Sequence, residues 1–158
     1  MSYESIGCEL CSRLKNEFAL LGAVKKNGDY NFMTVSWGSF GILWGKEVCT
    51  VLVRPERYTF EFCEEAEIFT LSFFDESRKK DLAYCGSVSG RDHDKARECG
   101  FETKISDGKI TFKDAKLTLT LRKMYAQDIR EECFLDKSAL SFYKNSGFHR
   151  MYVCEVLE

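Results

Sequence analysis

The sequence predicts a mainly β domain with short helices in its connections, a barrel or sandwich of the α+β class. Runs of β-branched and aromatic residues recur along the chain with turn residues between them, among them Asn27-Gly28 and Asp107-Gly108. Leu117, Leu119 and Leu121 alternate with polar residues, which is the period of a strand with one buried face. No Gly-x-Gly-x-x-Gly sequence follows any predicted strand, so a Rossmann nucleotide site is not expected.

The chain begins with a short helix and continues in strands. Apolar residues at helical spacing predict the helix within Glu9–Leu21. The Asn-Gly pair predicts a hairpin because both of its residues accept positive φ. The first strands are predicted at Ala19–Lys25, Tyr30–Phe40, Val48–Val53, which we expect to be buried on both faces, and Ile68–Phe74.

Helices are predicted in three of the connections, and strands return towards the end of the chain. The helices are expected at Tyr58–Glu65, Asp75–Tyr84 and Asp92–Cys99. The third would begin at an aspartate, where the helix dipole favours a negative charge. The later strands are predicted on either side of Asp107-Gly108, at Ala115–Ala126 and at Met151–Leu157.

Composition limits the classes of function. With 158 residues, of which 44% are hydrophobic and 30% charged, the chain predicts one domain over residues 1–158 with its own core. The net charge of -2 gives no general attraction to nucleic acid, and the basic run 78–80 is typical of a solvated helix face. No apolar run approaches the about 20 residues of a membrane-spanning helix, and residues 1–7 lack a secretory pattern, so we expect a cytosolic protein.

The eight cysteines are expected to be reduced thiols. Disulfide frameworks are typical of short secreted chains without a core, and cysteines such as Cys154 lie inside apolar runs. Cys8 and Cys11 have the C-x-x-C spacing of zinc and iron–sulfur sites. No second pair shares this spacing, and Cys85 and Cys99 are too far apart in sequence to form one, so no metal is expected.

Three segments carry polar residues without an evident packing role, and the first is Asn31–Gly38. Small hydroxyls beside a glycine allow a flat ligand to lie against the backbone, although an edge strand facing water would have the same pattern. Its alternation predicts one face with Thr34, Ser36 and Gly38 and an opposite face with Met33, Val35 and Trp37.

The second segment, Val53–Thr59, leads from a predicted buried strand into the only proline of the chain. Proline stiffens the turn, so Arg54 leaves the strand at a defined angle. Tyr58 and Thr59 open the next helix, whose free N–H groups and positive dipole end suit a phosphate. A rigid turn with surface arginines is the alternative.

The third segment, Cys85–Lys95, contains glycines and serines and leads into the third helix. Ser87, Ser89 and the loop amides, with Lys95 one turn into that helix, suit an anion. The Gly-Lys-Ser/Thr order of a Walker loop is missing, and a plain turn before a solvated charged helix is the alternative.

Together, Thr-Val-Ser-Trp, Arg-Pro-x-Arg-Tyr-Thr and Cys-Gly-x-x-Ser-Gly-Arg-Asp-x-Asp-Lys resemble the flavin-reductase-like family, and within it the flavoredoxin-type members. The likeness extends from Asn31 to the final strand. It implies a split β-barrel that binds FMN without a covalent bond, near the interface of a homodimer.

The resemblance also implies which residues contact the cofactor. Thr34, Val35, Ser36 and Trp37 would contact the isoalloxazine and ribityl chain. Arg54, Tyr58 and Thr59 would line the ribityl and phosphate end. Ser87, Ser89, Gly90 and Lys95 would close on the phosphate, and whether Arg54 or Lys95 is its main ligand stays open.

The final strand resembles that of the family but departs from it at one position. His149 could lie near the flavin or a nicotinamide, or be a structural histidine. Cys154 stands where the family commonly has a glycine, which puts the close backbone approach there in doubt.

Flavin would supply the redox chemistry, so no catalytic triad or acid–base pair is expected. Electrons would come from NAD(P)H or a redox protein and pass to free flavin, a ferric complex or a partner protein. Two alternatives use the same motifs: a flavin-binding sensing domain without turnover, and an enzyme resembling pyridoxine-phosphate oxidase. The donor, the acceptor and the preference between NADH and NADPH stay open.

Overall fold

The computed structural model of the protein describes residues 9–157. The helices are α1 (Glu9–Asn16), α2 (Thr59–Glu65), α3 (Lys79–Ser87) and α4 (Lys95–Glu98), with 3-10 turns at Glu76–Arg78, Glu131–Cys133 and Lys137–Tyr143. The strands are β1 (Ala19–Val24), β2 (Tyr30–Val35), β3 (Gly38–Leu43), β4 (Lys46–Val53), β5 (Ile68–Phe73), β6 (Thr103–Ser106), β7 (Lys109–Phe112), β8 (Leu117–Asp128) and β9 (Arg150–Val156). Among residues 9–157, no helix is long and apolar enough to cross a membrane.

Seven strands form an antiparallel sheet in the order β2-β1-β5-β8-β9-β4-β3, and β6 and β7 pair separately. Two turns that the sequence predicted are confirmed. Gly28, with φ of 93°, closes the β1–β2 hairpin, and Asp107 and Gly108, with φ of 52° and 71°, join β6 to β7. The fold is mainly β, with short helices around the sheet. The sheet is not closed, as expected for a split barrel.

The predicted strand Tyr30–Phe40 is wrong, because it is two strands on opposite edges of the sheet. β2 ends at Val35, residues 36 and 37 cross to the far edge, and β3 pairs with β4. Gly38 is required at the crossing, since a Cβ there would lie 2.6 Å from the carbonyl oxygen of Thr50. The alternation of residue types in the sequence continues through this crossing and conceals it.

The core consists of two clusters on the two faces of the sheet. β1 is buried along its whole length, with Ala19 and Leu21 in one cluster and Leu20 and Val24 in the other. The sequence predicted burial on both faces for Val48–Val53 instead. This prediction was wrong, because Thr50 and Leu52 are only half-buried. β1 is therefore the strand whose side chains belong to both core clusters.

Two further expectations are corrected. The third helix begins at Lys95, with Asp94 as its cap, because the amides of Asp92 and His93 bond to the carbonyl of Ser89 and hold residues 89–93 in a turn. In β8, Leu119 and Leu121 are buried as predicted, but Leu117 is exposed at the end of the strand.

Candidate functional site

Two adjoining pockets lie where β2 ends and the turn after β4 begins. The strand pocket, of about 230 Å³, is lined by Met33, Thr34, Val35, Ser36, Trp37, Leu52, Arg54, Arg57 and His149. The loop pocket, of about 190 Å³, is lined by Asn31, Met33, Glu56, Arg57, Tyr58, Thr59, Cys85, Ser87, Val88, Ser89, Gly90 and Lys95. Since Met33 and Arg57 belong to both, the pockets form one continuous surface.

The three sequence motifs meet on this surface. The residues expected at the flavin ring, Thr34 to Trp37, all line the strand pocket, together with Arg54 and His149. The remaining predicted residues, Tyr58, Thr59, Ser87, Ser89, Gly90 and Lys95, all line the loop pocket. The fold thus divides the candidate residues between the strand pocket and the loop pocket.

Trp37 forms an open aromatic wall of the strand pocket. Because β2 has already ended, its side chain is 40% exposed instead of following the alternation of Met33 and Val35 into the core. Its ring centroid lies 5.2 Å from that of Phe142 and 5.2 Å from that of His149. This wall has the flat apolar character that suits a planar ring.

Thr34 and Val35 contribute to the same pocket in different ways. The Thr34 hydroxyl donates to the carbonyl oxygen of Leu82 and so fixes the end of β2 against α3. Val35 is buried in the core, so its exposed contribution to the pocket is small. A ligand here would contact chiefly backbone and the side chains of Ser36 and Trp37.

His149 is only 8% exposed, and its Nδ1 lies 2.8 Å from the Tyr143 hydroxyl. Burial, and after it the positive charge of Arg54, lowers the pKa of His149 to about 4. The imidazole is therefore neutral at neutral pH and presents an uncharged edge to the strand pocket.

Arg54 lines the strand pocket and is absent from the lining of the loop pocket. Its guanidinium donates to the carbonyl oxygens of Phe142 and Gly147, at 3.0 and 3.2 Å, and to the Ser146 hydroxyl. It also lies 5.0 Å from the ring centroid of Tyr143. Arg54 thus holds the segment 142–147 beside the strand pocket.

Glu56 fastens the same segment from the other side, accepting the Gly147 N–H at 2.6 Å. Partial burial raises the pKa of Glu56, but hydrogen bonds from its own amide and that of Gly147, with Arg54 nearby, lower it on balance. Its carboxylate therefore carries a negative charge at one side of the loop pocket.

Arg57, which the sequence did not single out, lines both pockets. Its amide closes the turn by donating to the carbonyl oxygen of Arg54 at 3.0 Å. Its guanidinium is exposed and donates to the carbonyl oxygen of Gly86 at 3.0 Å. The signal was its place in the Arg-Pro-x-Arg motif, where the turn separates the two arginine side chains.

Lys95 is a buried cation that lines the loop pocket and is only 4% exposed. Its Nζ donates to the carbonyl oxygen of Phe32 and lies 5.1 Å from the Phe32 ring centroid. No carboxylate within residues 9–157 forms an ion pair with it, and burial, with Arg57 nearby, lowers its pKa. A buried amine in this setting gains most from an anionic ligand.

The end of α3 and the loop 88–94 that follows it are ordered by their own hydrogen bonds. Ser87 donates to the carbonyl of Tyr84 at 2.8 Å, while the Ser89 hydroxyl accepts the Arg91 N–H at 3.1 Å and can still donate its proton. Gly90 is required, since a Cβ there would overlap the amide of Asn31. That amide is buried and donates to Thr59 Oγ1 at 2.9 Å.

At the start of α2, the amides of Phe60 and Glu61 are already hydrogen-bonded. The N–H groups of Phe60 and Glu61 donate to the carbonyls of Arg57 and Tyr58, at 2.9 and 3.3 Å. Cationic side chains and the Ser89 hydroxyl are among the groups available to an anion in the loop pocket.

The cysteine pair considered for a metal lies partly outside the described residues. Cys8 precedes them, and Cys11 lies in α1. Within residues 9–157, no group of three or more histidine, cysteine or acidic side chains is arranged to hold a metal ion. Cys154, at the position where the family commonly has glycine, is buried opposite Cys49 in the register of β9 and β4.

No protein-family model and no curated protein matches the sequence. Solved structures do match the fold. A flavoredoxin from Methanosarcina acetivorans matches with 25% identity and a TM-score of 0.67, over 90% of this chain and 66% of that one. An FMN-binding protein from Thermus thermophilus matches with 21% identity and a TM-score of 0.66, over 89% of this chain and 69% of that one.

A putative flavin reductase with a split barrel domain from Shewanella frigidimarina matches with 14% identity and a TM-score of 0.70, over 100% of this chain and 73% of that one. The chain spans about two thirds of the length of the first two of these proteins. The split-barrel fold implied by the three motifs is confirmed, and the chain shares this fold with flavoredoxin, FMN-binding and flavin-reductase structures.

Proposed function

We propose that the chain binds FMN across the strand pocket and the loop pocket and carries electrons through it as a flavin-reductase-like oxidoreductase. The isoalloxazine ring would lie in the strand pocket and the phosphate in the loop pocket. One observation carries the proposal. The buried amine of Lys95, which has no ion pair within residues 9–157, and the open wall of Trp37 lie at opposite ends of one continuous surface.

The phosphate end is supported by charge. Lys95 and Arg57 bring two positive groups to the loop pocket, against the single carboxylate of Glu56, which already accepts the Gly147 amide. Charge-assisted hydrogen bonds to a phosphate are stronger than neutral ones. Because Arg54 is occupied by the segment 142–147, Lys95 is the better candidate for the main phosphate ligand.

The ring end is supported by shape and by the neutral state of its histidine. The backbone of residues 34–37 and the Trp37 wall would contact the isoalloxazine, and His149 would present an uncharged edge to it. When bound, FMN supplies one- and two-electron redox chemistry, while the protein supplies binding and orientation. We propose NAD(P)H or a redox protein as the electron donor, and free flavin, a ferric complex or a partner protein as the acceptor.

We also propose that the chain works as a homodimer. β3 is an edge strand, and the apolar residues at its end are exposed, with Ile42 at 72% and Trp44 at 56%. An exposed apolar edge strand that begins directly after Trp37 is the kind of surface that a second copy would cover.

Anaerobic reduction tests the redox part of the proposal. The protein loaded with FMN is mixed with NADH and with NADPH in separate experiments, and the absorbance of oxidised flavin is followed. Bleaching by either nucleotide supports a reductase. Flavin that resists both would contradict direct reduction by NAD(P)H and would favour a redox-protein donor or a flavin-binding sensor.

A further inference from the structure

Cys85 and Cys99 lie side by side although 14 positions separate them in sequence. Their Sγ atoms are 3.7 Å apart, and both thiols are free. Cys85 lies in the last turns of α3 and Cys99 directly follows α4. Cys85 belongs to the core cluster that contains Leu82, and Cys99 packs against that cluster, so the folding of the two helices sets this contact.

We propose that Cys85 and Cys99 form a redox-sensitive dithiol site, in which oxidation to a disulfide weakens the binding of a phosphate group in the loop pocket. The effect on phosphate rests on the proposed function. The formation of the disulfide does not.

The geometry is close to that of a disulfide. Bonded sulfurs are about 2.0 Å apart, so these atoms must approach by roughly 1.7 Å, which side-chain rotation and a small movement of α4 can supply. Cys85 is fully buried, whereas Cys99 is half-buried. An oxidant from solution therefore meets Cys99 first.

A hydroperoxide is the class of oxidant that balances the reaction. The Cys99 thiolate attacks the O–O bond, so that an S–O bond forms and the alcohol (water, from hydrogen peroxide) leaves. Cys85 sulfur then attacks the Cys99 sulfenic acid, so that the S–S bond forms, the S–O bond breaks and water leaves. Two thiols thereby lose two electrons and two protons, and one hydroperoxide is reduced.

The rate of this reaction should depend on pH. Burial raises the pKa of the Cys99 thiol, and burial with the neighbouring Cys99 raises that of Cys85 to about 12. Thiolates are the reactive species, so oxidation should be slow at neutral pH and faster at higher pH. Such a site responds to sustained exposure and not to a brief pulse of peroxide.

The disulfide would enclose the phosphate end of the site. The ring that it closes, residues 85–99, contains all the loop residues expected at the phosphate, which are Ser87, Ser89, Gly90 and Lys95. Cys85 itself lines the loop pocket, and the Cys99 amide donates to the carbonyl oxygen of Lys95 at 3.1 Å. Drawing Cys99 towards Cys85 therefore moves the helical turn that carries Lys95.

We expect the disulfide to lower the affinity of the loop pocket for a phosphate group and not to raise it. The loop is already held by hydrogen bonds, among them Arg57 to Gly86 and Arg91 to Ser89, so a cross-link adds little order. The contraction between the sulfurs instead displaces Lys95 from its place beside Phe32.

The test treats the purified full chain with hydrogen peroxide and maps disulfides by mass spectrometry of unreduced peptides. Dissociation constants for FMN and for riboflavin, which lacks the phosphate, are measured before and after oxidation. We expect a Cys85–Cys99 cross-linked peptide and FMN affinity reduced at least about fivefold, the lower end of typical coupling between sites. Riboflavin affinity should be unchanged, and dithiothreitol should restore FMN binding.

Two variants give the test its controls. Cys99→Ser should bind FMN like the reduced wild type and lose the response to peroxide, whereas Cys133→Ser, which removes an exposed thiol elsewhere, should keep it. Absence of the cross-linked peptide would overturn the dithiol site, and a cross-link without a change in FMN affinity would overturn the coupling. If the cross-link forms but the reduced protein never binds FMN, the dithiol site stands and the proposed function is contradicted.

Discussion

Arg57 and Gly86 are joined by a hydrogen bond of 3.0 Å from the guanidinium to the carbonyl oxygen. The bond connects the turn after β4 to the end of α3, where the serine-containing loop begins. Arg57 also lines both pockets. It therefore connects the strand pocket with the loop pocket.

Replacing Arg57 by lysine should weaken FMN binding. Lysine keeps the charge but not the planar fork that can bond Gly86 and a ligand together. Loss of one hydrogen bond from a charged group, about 1.5–3 kcal/mol, corresponds to about 10- to 150-fold in the dissociation constant. Quenching of FMN fluorescence measures the dissociation constant, and Arg97→Lys, on the exposed face of α4, is the control. An unchanged constant in Arg57→Lys would show that Arg57 does not hold the ligand.

Lys95→Met should weaken the binding of FMN much more than the binding of riboflavin. The substitution keeps an unbranched side chain in the buried site but removes the charge that would pair with phosphate. We expect FMN affinity to fall about 10- to 150-fold, the same range as for other charged hydrogen bonds, with riboflavin affinity nearly unchanged. Lys104→Met, at an exposed position of β6, is the control. Equal losses for both ligands would mean that Lys95 supports the fold and not the phosphate.

Gly90→Ala should destabilise the protein without any ligand present. The new Cβ must displace the buried Asn31 amide and so break its hydrogen bond to Thr59. Overpacking of this kind lowers the free energy of unfolding by about 1–3 kcal/mol. Urea denaturation followed by circular dichroism measures the loss. Gly41→Ala, where a Cβ meets nothing within 4 Å, should change the free energy of unfolding little. Similar values for both variants would refute the close approach of Gly90 to Asn31.

Part of this site could be predicted from sequence and part could not. The three motifs contain nearly all the residues that line the two pockets, because motif residues were chosen where polarity had no packing explanation. The direction of each side chain was not accessible. Arg54 and Arg57 are three positions apart, and only the turn at Pro55 decides which of them faces the loop. The burial of Lys95 likewise depends on packing against Phe32, 63 positions earlier.

The fold shows the same division. Turns with positive φ at Asn, Asp or Gly could be predicted because these residue types adopt positive φ readily. The β3–β4 turn was missed, since Trp44 adopts φ of 54°, which its residue type does not suggest. The break between β2 and β3 was missed because only pairing with distant β4 sends the chain to the other edge of the sheet. Local patterns predicted the elements, and long-range pairing decided their places.

His149 should make the protein less stable in acid. Its pKa is about 4 in the folded state and about 6.5 when unfolded, so the unfolded state binds more protons between these values. The stability is complete above about pH 6.5 and is lost as the pH falls towards 4, by about 3 kcal/mol. Urea denaturation at pH 7 and pH 4 measures this loss.

The variant His149→Phe keeps a ring against Trp37 and should show a smaller loss of stability between the two pH values than the wild type. His93→Phe controls for the removal of a histidine elsewhere. An identical acid dependence in wild type and His149→Phe would refute the assignment of this effect to His149.

Ile42→Glu should shift the oligomeric state to the monomer. A charge at the exposed end of β3 opposes burial of this edge against a second copy. Light scattering coupled to size-exclusion chromatography reports the mass. Leu135→Glu, at a position that is 99% exposed and distant from the edge strand in sequence, should leave the mass of the wild type unchanged. A wild-type protein that is monomeric at all concentrations would contradict the homodimer.

The most direct test of FMN binding is the visible absorption spectrum of the protein purified without added flavin, followed by FMN titration if it is colourless. Binding across the two pockets predicts the bands of oxidised flavin, released as FMN on denaturation, or saturable quenching of added FMN that riboflavin matches only weakly. A colourless protein that leaves FMN fluorescence unchanged would contradict the proposed function.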